Sequence, residues 1–448
     1  MMPIKVCIIG GGSRAWAIKF MRDLVAEGTV CVQLFLYDID KEAAKNNEFV
    51  ASRMFLINHA ENRLSAIAVD TLEEGLDGAV LVIISIEPGK TEIRYSDLVI
   101  PEKYGILQSV GDTTGPGGIF RARRAIPLFL NFGKAIKEHC PNAWVINYTN
   151  PMTLCTAALF QVFPHIKALG CCHEVFGTEK FVASLISVWK GIPLPERRDI
   201  HLDITGINHF TFATKAMYDG HDFMPELTEF AAHPETYKDR TIVALERIKQ
   251  HDWFTSDHLI ALSFLRDFGA LGAAGDRHLS EFVPWFLNDE REYWKLGVVR
   301  TPYSWRATQA NDKHDKIFSD EELIVTQSSD EEGIAIMSAL LGKKNLLTNI
   351  NRPNEGQVKY LPLRHVVESN GYISCNAIRP VIATDPPLAI QILEQRVAAI
   401  QSMTLEAVSS NDDDLLFIAF LEDPLMTIPV AKARELFKEM LAFQEKFI

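Results

Sequence analysis

Short β-branched runs alternate with amphipathic stretches over roughly the first 200 residues, and that alternation is the main clue to architecture. Ile4-Lys5-Val6-Cys7-Ile8-Ile9 is a compact apolar run that ends in three glycines, after which Trp16, Phe20, Met21, Leu24 and Val25 recur at helical spacing. Val30–Tyr37 ends at Asp38, and Ala79–Ser85, Ala143–Asn147 and Ile166–Gly170 repeat the strand pattern, with the amphipathic stretch Ala125–Lys137 ahead of the third. Continuous apolar strands separated by helices predict a parallel sheet covered on both faces. Near Gly191-Ile192-Pro193-Leu194-Pro195 the alternation stops. Aromatic-rich and acidic segments then mix with helices such as Glu332–Leu341, so a boundary is expected near residue 200, between domains 1–200 and 201–448. The acidic runs Ser328-Ser329-Asp330-Glu331-Glu332 and Asp412-Asp413-Asp414 read as helix N-termini or solvated loops.

The first strand–turn–helix carries Gly10-Gly11-Gly12-Ser13-Arg14-Ala15, a G-x-G-x-x-A pattern. Gly10 permits the tight turn, Gly12 lets a pyrophosphate approach the backbone, and Ala15 keeps helix and strand close. Asp38, at the end of the second strand, can accept both ribose hydroxyls and would repel a 2′-phosphate, so Gly10, Gly11, Gly12, Ser13 and Asp38 predict an NAD site rather than an NADP site.

Composition narrows the partners. The 448 residues are 47% hydrophobic and carry a formal net charge of −13, which argues against nucleic acid or an anionic membrane as the target. No apolar stretch approaches the roughly 20 residues of a membrane span, and the start lacks signal-peptide features. The seven cysteines are dispersed rather than framed in pairs, which favours reduced thiols and a cytoplasmic setting.

Four polar segments fall where loops should leave the carboxyl ends of strands. They are Val110–Gly118 with Arg121 beyond it, Asn147-Tyr148-Thr149-Asn150-Pro151-Met152, Gly170-Cys171-Cys172-His173-Glu174-Val175, and Gly206-Ile207-Asn208-His209-Phe210. Asn150 can offer its amide to a sugar hydroxyl or to the cofactor, or simply cap the helix that follows. A Cys172 thiolate and a His209 imidazole could hold a divalent ion, although each alone is as compatible with a core position.

In their order and spacing these segments, together with Asn354-Glu355-Gly356-Gln357 and Val367-Glu368, resemble glycoside hydrolase family 4 over nearly the whole chain. Those are NAD- and Mn²⁺-dependent glycosidases related in fold to lactate and malate dehydrogenases. The resemblance implies a Rossmann-type doubly wound sheet followed by an α+β, lactate/malate dehydrogenase-like C-terminal domain. Cys172-His173-Glu174-Val175 is similar to the Cys-His-Glu-Val signature of the family's α-galacturonidases. Carried over by motif, Cys172 and His209 are the metal ligands and Asn150 contacts a substrate hydroxyl. Ala274-Gly275-Asp276-Arg277-His278 resembles the segment that bears the base, which makes Asp276 the candidate base. His173 stands where the phosphoglucosidase branches carry an aspartate acid, a departure in residue type at that station.

The mechanism so implied oxidises the sugar's C3 with NAD⁺, removes the acidified C2 proton, eliminates the C1 leaving group, adds water and returns the hydride. An acidic sugar needs a cationic partner, for which Arg94, Arg121 and Arg277 are candidates and Lys90 a weaker one. The expected enzyme is a homo-oligomer, dimer or tetramer, acting on short pectin-derived oligosaccharides. Competing readings are an α-glucuronidase or α-galactosidase of the same family, a 2-hydroxy-acid-type NAD dehydrogenase, and a silent NAD-binding sensor.

Overall fold

A computed structural model of the chain describes residues 3–314, 318–329 and 331–447, with the backbone alone for 309–314. The strands are β1 (Ile4–Ile9), β2 (Val32–Tyr37), β3 (Leu64–Val69), β4 (Leu81–Ile84), β5 (Trp144–Asn147), β6 (Lys167–Gly170), β7 (His201–Ile207), β8 (Phe210–Tyr218), β9 (His221–Asp222), β10 (Leu271–Gly272), β11 (Leu346–Pro353), β12 (Val366–Ser374) and β13 (Ala377–Pro380).

The parallel strands run β3-β2-β1-β4-β5-β6, the order of a dinucleotide-binding sheet. β4 and β5 are buried along their whole length because helices cover both faces, which is why their sequences are continuous apolar runs rather than alternations. The helices Trp16–Glu27 and Gly115–His139 lie among these covering elements. The latter contains the expected amphipathic stretch Ala125–Lys137 and extends ten residues upstream of it.

The sheet does not stop at residue 200. β11 pairs antiparallel with β6 (Asn351 opposite Gly170), and β12 and β13 follow, so that the sheet has nine strands. The second half of the chain therefore both completes the nucleotide sheet and builds its own unit, the antiparallel set β10-β8-β7 with β9 at its side. A core running through Phe210, Phe212, Phe264 and Phe282 joins that unit to the helices Glu174–Lys190 and Leu388–Ser410. Among the described residues no helix is long and apolar enough to cross a membrane.

Of the two acidic runs, Asp412 caps the helix Asp413–Glu422 as expected, its side chain accepting from the Leu415 amide. The other run departs from the solvated reading: Ser329 binds Asp23, Glu331 binds Lys19, and Glu332 is buried against Arg197. Asp330 lies outside the described residues.

A buried ion pair ties the front of the molecule together. Arg124, on the helix Gly115–His139, donates two bonds to Asp97 at 2.9 and 2.7 Å, and both side chains are 3% exposed.

Candidate active site

A cleft of about 1650 Å³ runs past the carboxyl ends of the parallel strands. A single drug-sized ligand fills about 300–1,000 Å³, so there is room for a dinucleotide and a sugar together. Gly10, Gly12, Ser13, Asp38, Arg94, Arg121, Asn150, Cys172, His173, His209 and Arg277 all line it. These residues come from both halves of the chain.

At the nucleotide end, Gly10 adopts φ +94°, and a Cβ there would lie 2.0 Å from the Ser85 carbonyl oxygen. Only glycine satisfies both demands. A Cβ on Gly12 would lie 2.7 Å from the Ala43 methyl and 2.9 Å from Asp38 Oδ2, which itself accepts the Gly12 amide at 2.9 Å. Gly11 plays a different part from the one its motif position suggests. It does not line the cleft; its amide donates to the Tyr37 carbonyl, and a Cβ would strike Leu36, so it packs the loop onto β2.

Deeper in the cleft, ligand atoms of Asp112, His209 and His278 lie within 4.8 Å of one another. His209 sits in the turn between β7 and β8 with φ +67°, and its Nδ1 is 2.9 Å from Thr113 Oγ1. Its ring centroid is 3.8 Å from that of His278. Burial first, and the neighbouring His278 second, push the His209 pKa down to about 3, which keeps the imidazole neutral, the form that binds metals. The Asp112 carboxyl is held well below the usual range: His278, His209 and Arg121 outweigh the cost of burial. His278 Nδ1 is buried without a partner, while its Nε2 is 3.5 Å from Glu174 Oε1. One anion and two imidazoles suit a divalent transition metal.

Two acids, Glu281 buried and Glu174 partly buried, hold these segments in place. Glu281 accepts the Val110 and Gly111 amides at 2.7 and 2.9 Å, fixing the loop just before Asp112. Glu174 accepts the Gly275 amide at 2.8 Å, fixing the segment that carries His278.

Cys172 is buried in the same cleft. Its thiol meets the Asn208 side chain, next to His209, and burial, Glu368 and Glu174 raise its pKa well above the ordinary value. A bound cation would reverse that preference for the thiol. The three-residue cluster thus shares His209 with the expected metal pair and brings Asp112 and His278, which the sequence reading quoted only as parts of loops.

His173 is half-exposed at the rim; its Nδ1 is 3.5 Å from Glu331 Oε1 and its ring stacks at a tilt near Trp16. Partial desolvation lowers its pKa, but Glu331 and Glu174 outweigh that and raise it. Asn150 does not cap the next helix. Its carbonyl accepts from Arg121 Nε at 2.9 Å, and its side-chain Oδ1 is buried without a partner.

Asp276 corrects the expectation of a base facing the cleft. It is fully buried, it does not line the cleft although Gly275, Arg277 and His278 do, and its Oδ1 accepts the Ile260 and Ala261 amides at 3.1 Å. It caps the helix Leu259–Phe268, whose first amides need an acceptor.

The arginines divide as well. Glu87 accepts from both Arg94, at 3.0 and 2.6 Å, and Arg121, so those two guanidinium groups already share a carboxylate. Among the described residues Arg277 has only Thr301 Oγ1, at 2.9 Å, and the face of Phe254.

Comparison with known proteins agrees with this geometry. The family model described as "Family 4 glycosyl hydrolase" matches residues 5–188, and the one for its C-terminal domain matches residues 204–426. An α-galacturonidase of Bacillus subtilis is 43% identical over 445 residues, spanning 98% of this chain and 97% of the relative. A crystal structure of the B. subtilis protein LplD, described as a glucosidase, superposes with a TM-score of 0.89 at 42% identity, covering 98% of this chain and 99% of the other. A 6-phospho-α-glucosidase from gut microorganisms, solved with NAD and Mn²⁺, shares the fold at a TM-score of 0.78 and 19% identity, covering 99% and 98%.

Proposed function

Because the chain belongs to the family 4 glycosyl hydrolases, we propose that it is an α-galacturonidase that releases terminal α-linked galacturonic acid from short pectin-derived oligosaccharides with the help of NAD and a divalent metal such as Mn²⁺. The observation that carries this is the convergence of Asp112, His209 and His278 in one cleft with the Gly10–Asp38 nucleotide loop. The α-galacturonidase of B. subtilis, similar over nearly the whole chain, supports the substrate class, and the relative solved with NAD and Mn²⁺ supports the two cofactors.

The residues fit both groups. Gly10, Gly12 and Ser13 would take the pyrophosphate and Asp38 the adenine ribose. Asp112, His209 and His278 would hold the cation; Cys172, in the same cleft but outside that cluster, is the thiolate donor that the family resemblance adds. Bound there, NAD would take up and later return a hydride at the sugar's C3 while the cation draws charge from the adjoining oxygen and acidifies C2.

The chain itself does the rest. The unpartnered Oδ1 of Asn150 accepts a sugar hydroxyl and orients the ring. His173, whose pKa Glu331 and Glu174 raise, can offer a proton at the rim to a departing group. Glu281 and Glu174 keep the Asp112 and His278 segments in register. We place the enzyme in the cytoplasm as a homo-oligomer; all seven of its cysteines are unpaired, as a reducing compartment requires.

The test is incubation with digalacturonic acid, NAD⁺ and Mn²⁺ in D₂O. Monomer carrying deuterium at C2, with no net NADH, is the expected result. Accumulating NADH without bond cleavage would instead make the protein a dehydrogenase.

A further inference from the structure

The sugar end of the cleft holds more positive charge than its own carboxylates neutralise. Arg94 and Arg121 share Glu87, and Arg124 is spent on Asp97. Two guanidinium groups remain: Arg277 and Arg306, which both line the cleft and have no carboxylate within ion-pair distance among the described residues. Arg306 belongs to the helix Tyr303–His314, outside every motif read from the sequence. Its side chain donates no hydrogen bond to a described residue, and its Nε is buried without a partner. A guanidinium with a buried, unmet donor is costly, because that donor's transfer from water is uncompensated. Trp305 beside it and Phe254, over whose ring Arg277 lies at 4.8 Å, complete an aromatic wall around the two cations.

We propose that Arg306, with Arg277 alongside, forms the receptor for the carboxylate of a uronic-acid substrate and so makes the cleft select acidic over neutral hexoses. The proposal rests on the α-galacturonidase reading and deepens it. Arg306 fits the task better than the arginines named from the sequence. A guanidinium already locked to Glu87 must surrender one carboxylate to take another, whereas Arg306 gains its first. Desolvation, with Arg94 and Arg277 nearby, lowers the Arg306 pKa, and only Asp112 and Glu87 oppose that; an anion placed beside it relieves the same strain. The planar fork also offers two parallel donors to a planar acceptor, which a neutral hydroxymethyl group cannot use.

The experiment compares D-galacturonate with D-galactose, which differs from it only by a hydroxymethyl group in place of the carboxylate, by calorimetric titration into enzyme loaded with NAD⁺ and Mn²⁺. Loss of a charge-assisted bond removes roughly 10- to 100-fold of affinity. Arg306→Gln should weaken galacturonate by that factor and galactose by less than about threefold, since galactose lacks the group being read. Arg306→Lys keeps the charge without the fork and should fall between.

Galactose binding in the same preparation reports an intact site, so a misfolded Gln variant is recognised and the Lys variant then decides. Unchanged galacturonate affinity in Arg306→Lys and Arg306→Gln overturns the proposal. So does an equal loss for both sugars in a folded variant, or a loss of NAD⁺ affinity alone. Hydrolysis separates the two readings. If the wild-type enzyme binds galacturonate through Arg306 but cleaves no galacturonide, the proposed activity fails and the receptor stands. If it cleaves galacturonides and Arg306→Gln keeps their KM, the receptor fails and the activity stands.

Discussion

Glu281 offers a sharp test because its two chemical roles can be separated by two substitutions. It is 1% exposed, and its Oε1 accepts the amides of Val110 and Gly111 at 2.7 and 2.9 Å. Burial pushes its pKa up from 4.5 to about 7, with Asp112 adding to the rise while the two amides and His278 oppose it. The folded protein therefore binds more protons than the unfolded chain between those values, and stability is lost as pH rises through that window. At about 1.4 kcal/mol per pH unit the loss is roughly 3 kcal/mol once the pH exceeds 7. For 448 residues at about 2.1 cal/mol/K each, that is a Tm change of roughly 3 °C.

Glu281→Gln keeps the amide acceptor and removes the charge. Its Tm should match wild type near pH 5 and exceed it by roughly 3 °C at pH 8. Glu281→Ala strands two buried donors at about 1–3 kcal/mol each, so its Tm should fall by roughly 2–6 °C near pH 5, and by about 3 °C less at pH 8, where wild type has itself lost that much. The assay is thermal unfolding followed by circular dichroism across pH 4.5 to 8, with chelator present, since a cation at Asp112 would itself lower the Glu281 pKa. A Gln variant that keeps the wild-type slope, or an Ala variant as stable as wild type near pH 5, refutes the reasoning.

Other expectations follow from separate parts of the structure. Gly12→Val should lower NAD⁺ affinity at least about tenfold by fluorescence titration, because even its first carbon would displace Asp38 and meet Ala43; unchanged affinity contradicts the nucleotide site. Chelation should abolish galacturonide hydrolysis and Mn²⁺ alone should restore it, because the buried, protonated thiol of metal-free Cys172 is not the reactive form; activity that survives chelation contradicts the metal site. Asp112→Asn and His278→Ala should each lower bound Mn²⁺, measured by electron paramagnetic resonance, and wild-type binding in both would remove the cluster as the metal site. Asp97→Ala should cost about 3–5 kcal/mol in denaturant unfolding, because it leaves Arg124 buried and unpaired. Replacing both partners by leucine should cost much less, and equal losses would show that packing rather than charge dominates.

Five strands of the parallel sheet were legible because each is an apolar run bounded by turn residues; β3, at the sheet edge with alternate side chains turned outward, was not among them. The antiparallel extension was not legible either: β11 and β12 mix polar residues such as Asn349, Asn351 and Glu368 into buried positions, which breaks the strand signature. Glu368 accepts from Asn349 on the neighbouring strand and from Asn208, 160 residues away in sequence. The site divides the same way. Gly10, Gly12 and Asp38 carry their role in their spacing, and His209 stood in a recognisable loop. Asp276 was misplaced because an acid before Arg-His reads equally as a base or as the cap of a helix formed earlier in the chain. His278, two residues on, was the member of that segment brought to Asp112. Arg306 had no local signal at all, since only tertiary folding reveals that no described carboxylate pairs with it.

The antiparallel partner of β6 has a consequence for how the polypeptide is made. Synthesis delivers residues 167–170 long before residues 346–353, so the nascent nucleotide unit waits on the ribosome with a naked strand border. Such borders template mispairing between chains. A fragment cut near residue 200 would keep that border permanently, and a late frameshift would harm the cell less through lost activity than through the sticky half-product it leaves behind.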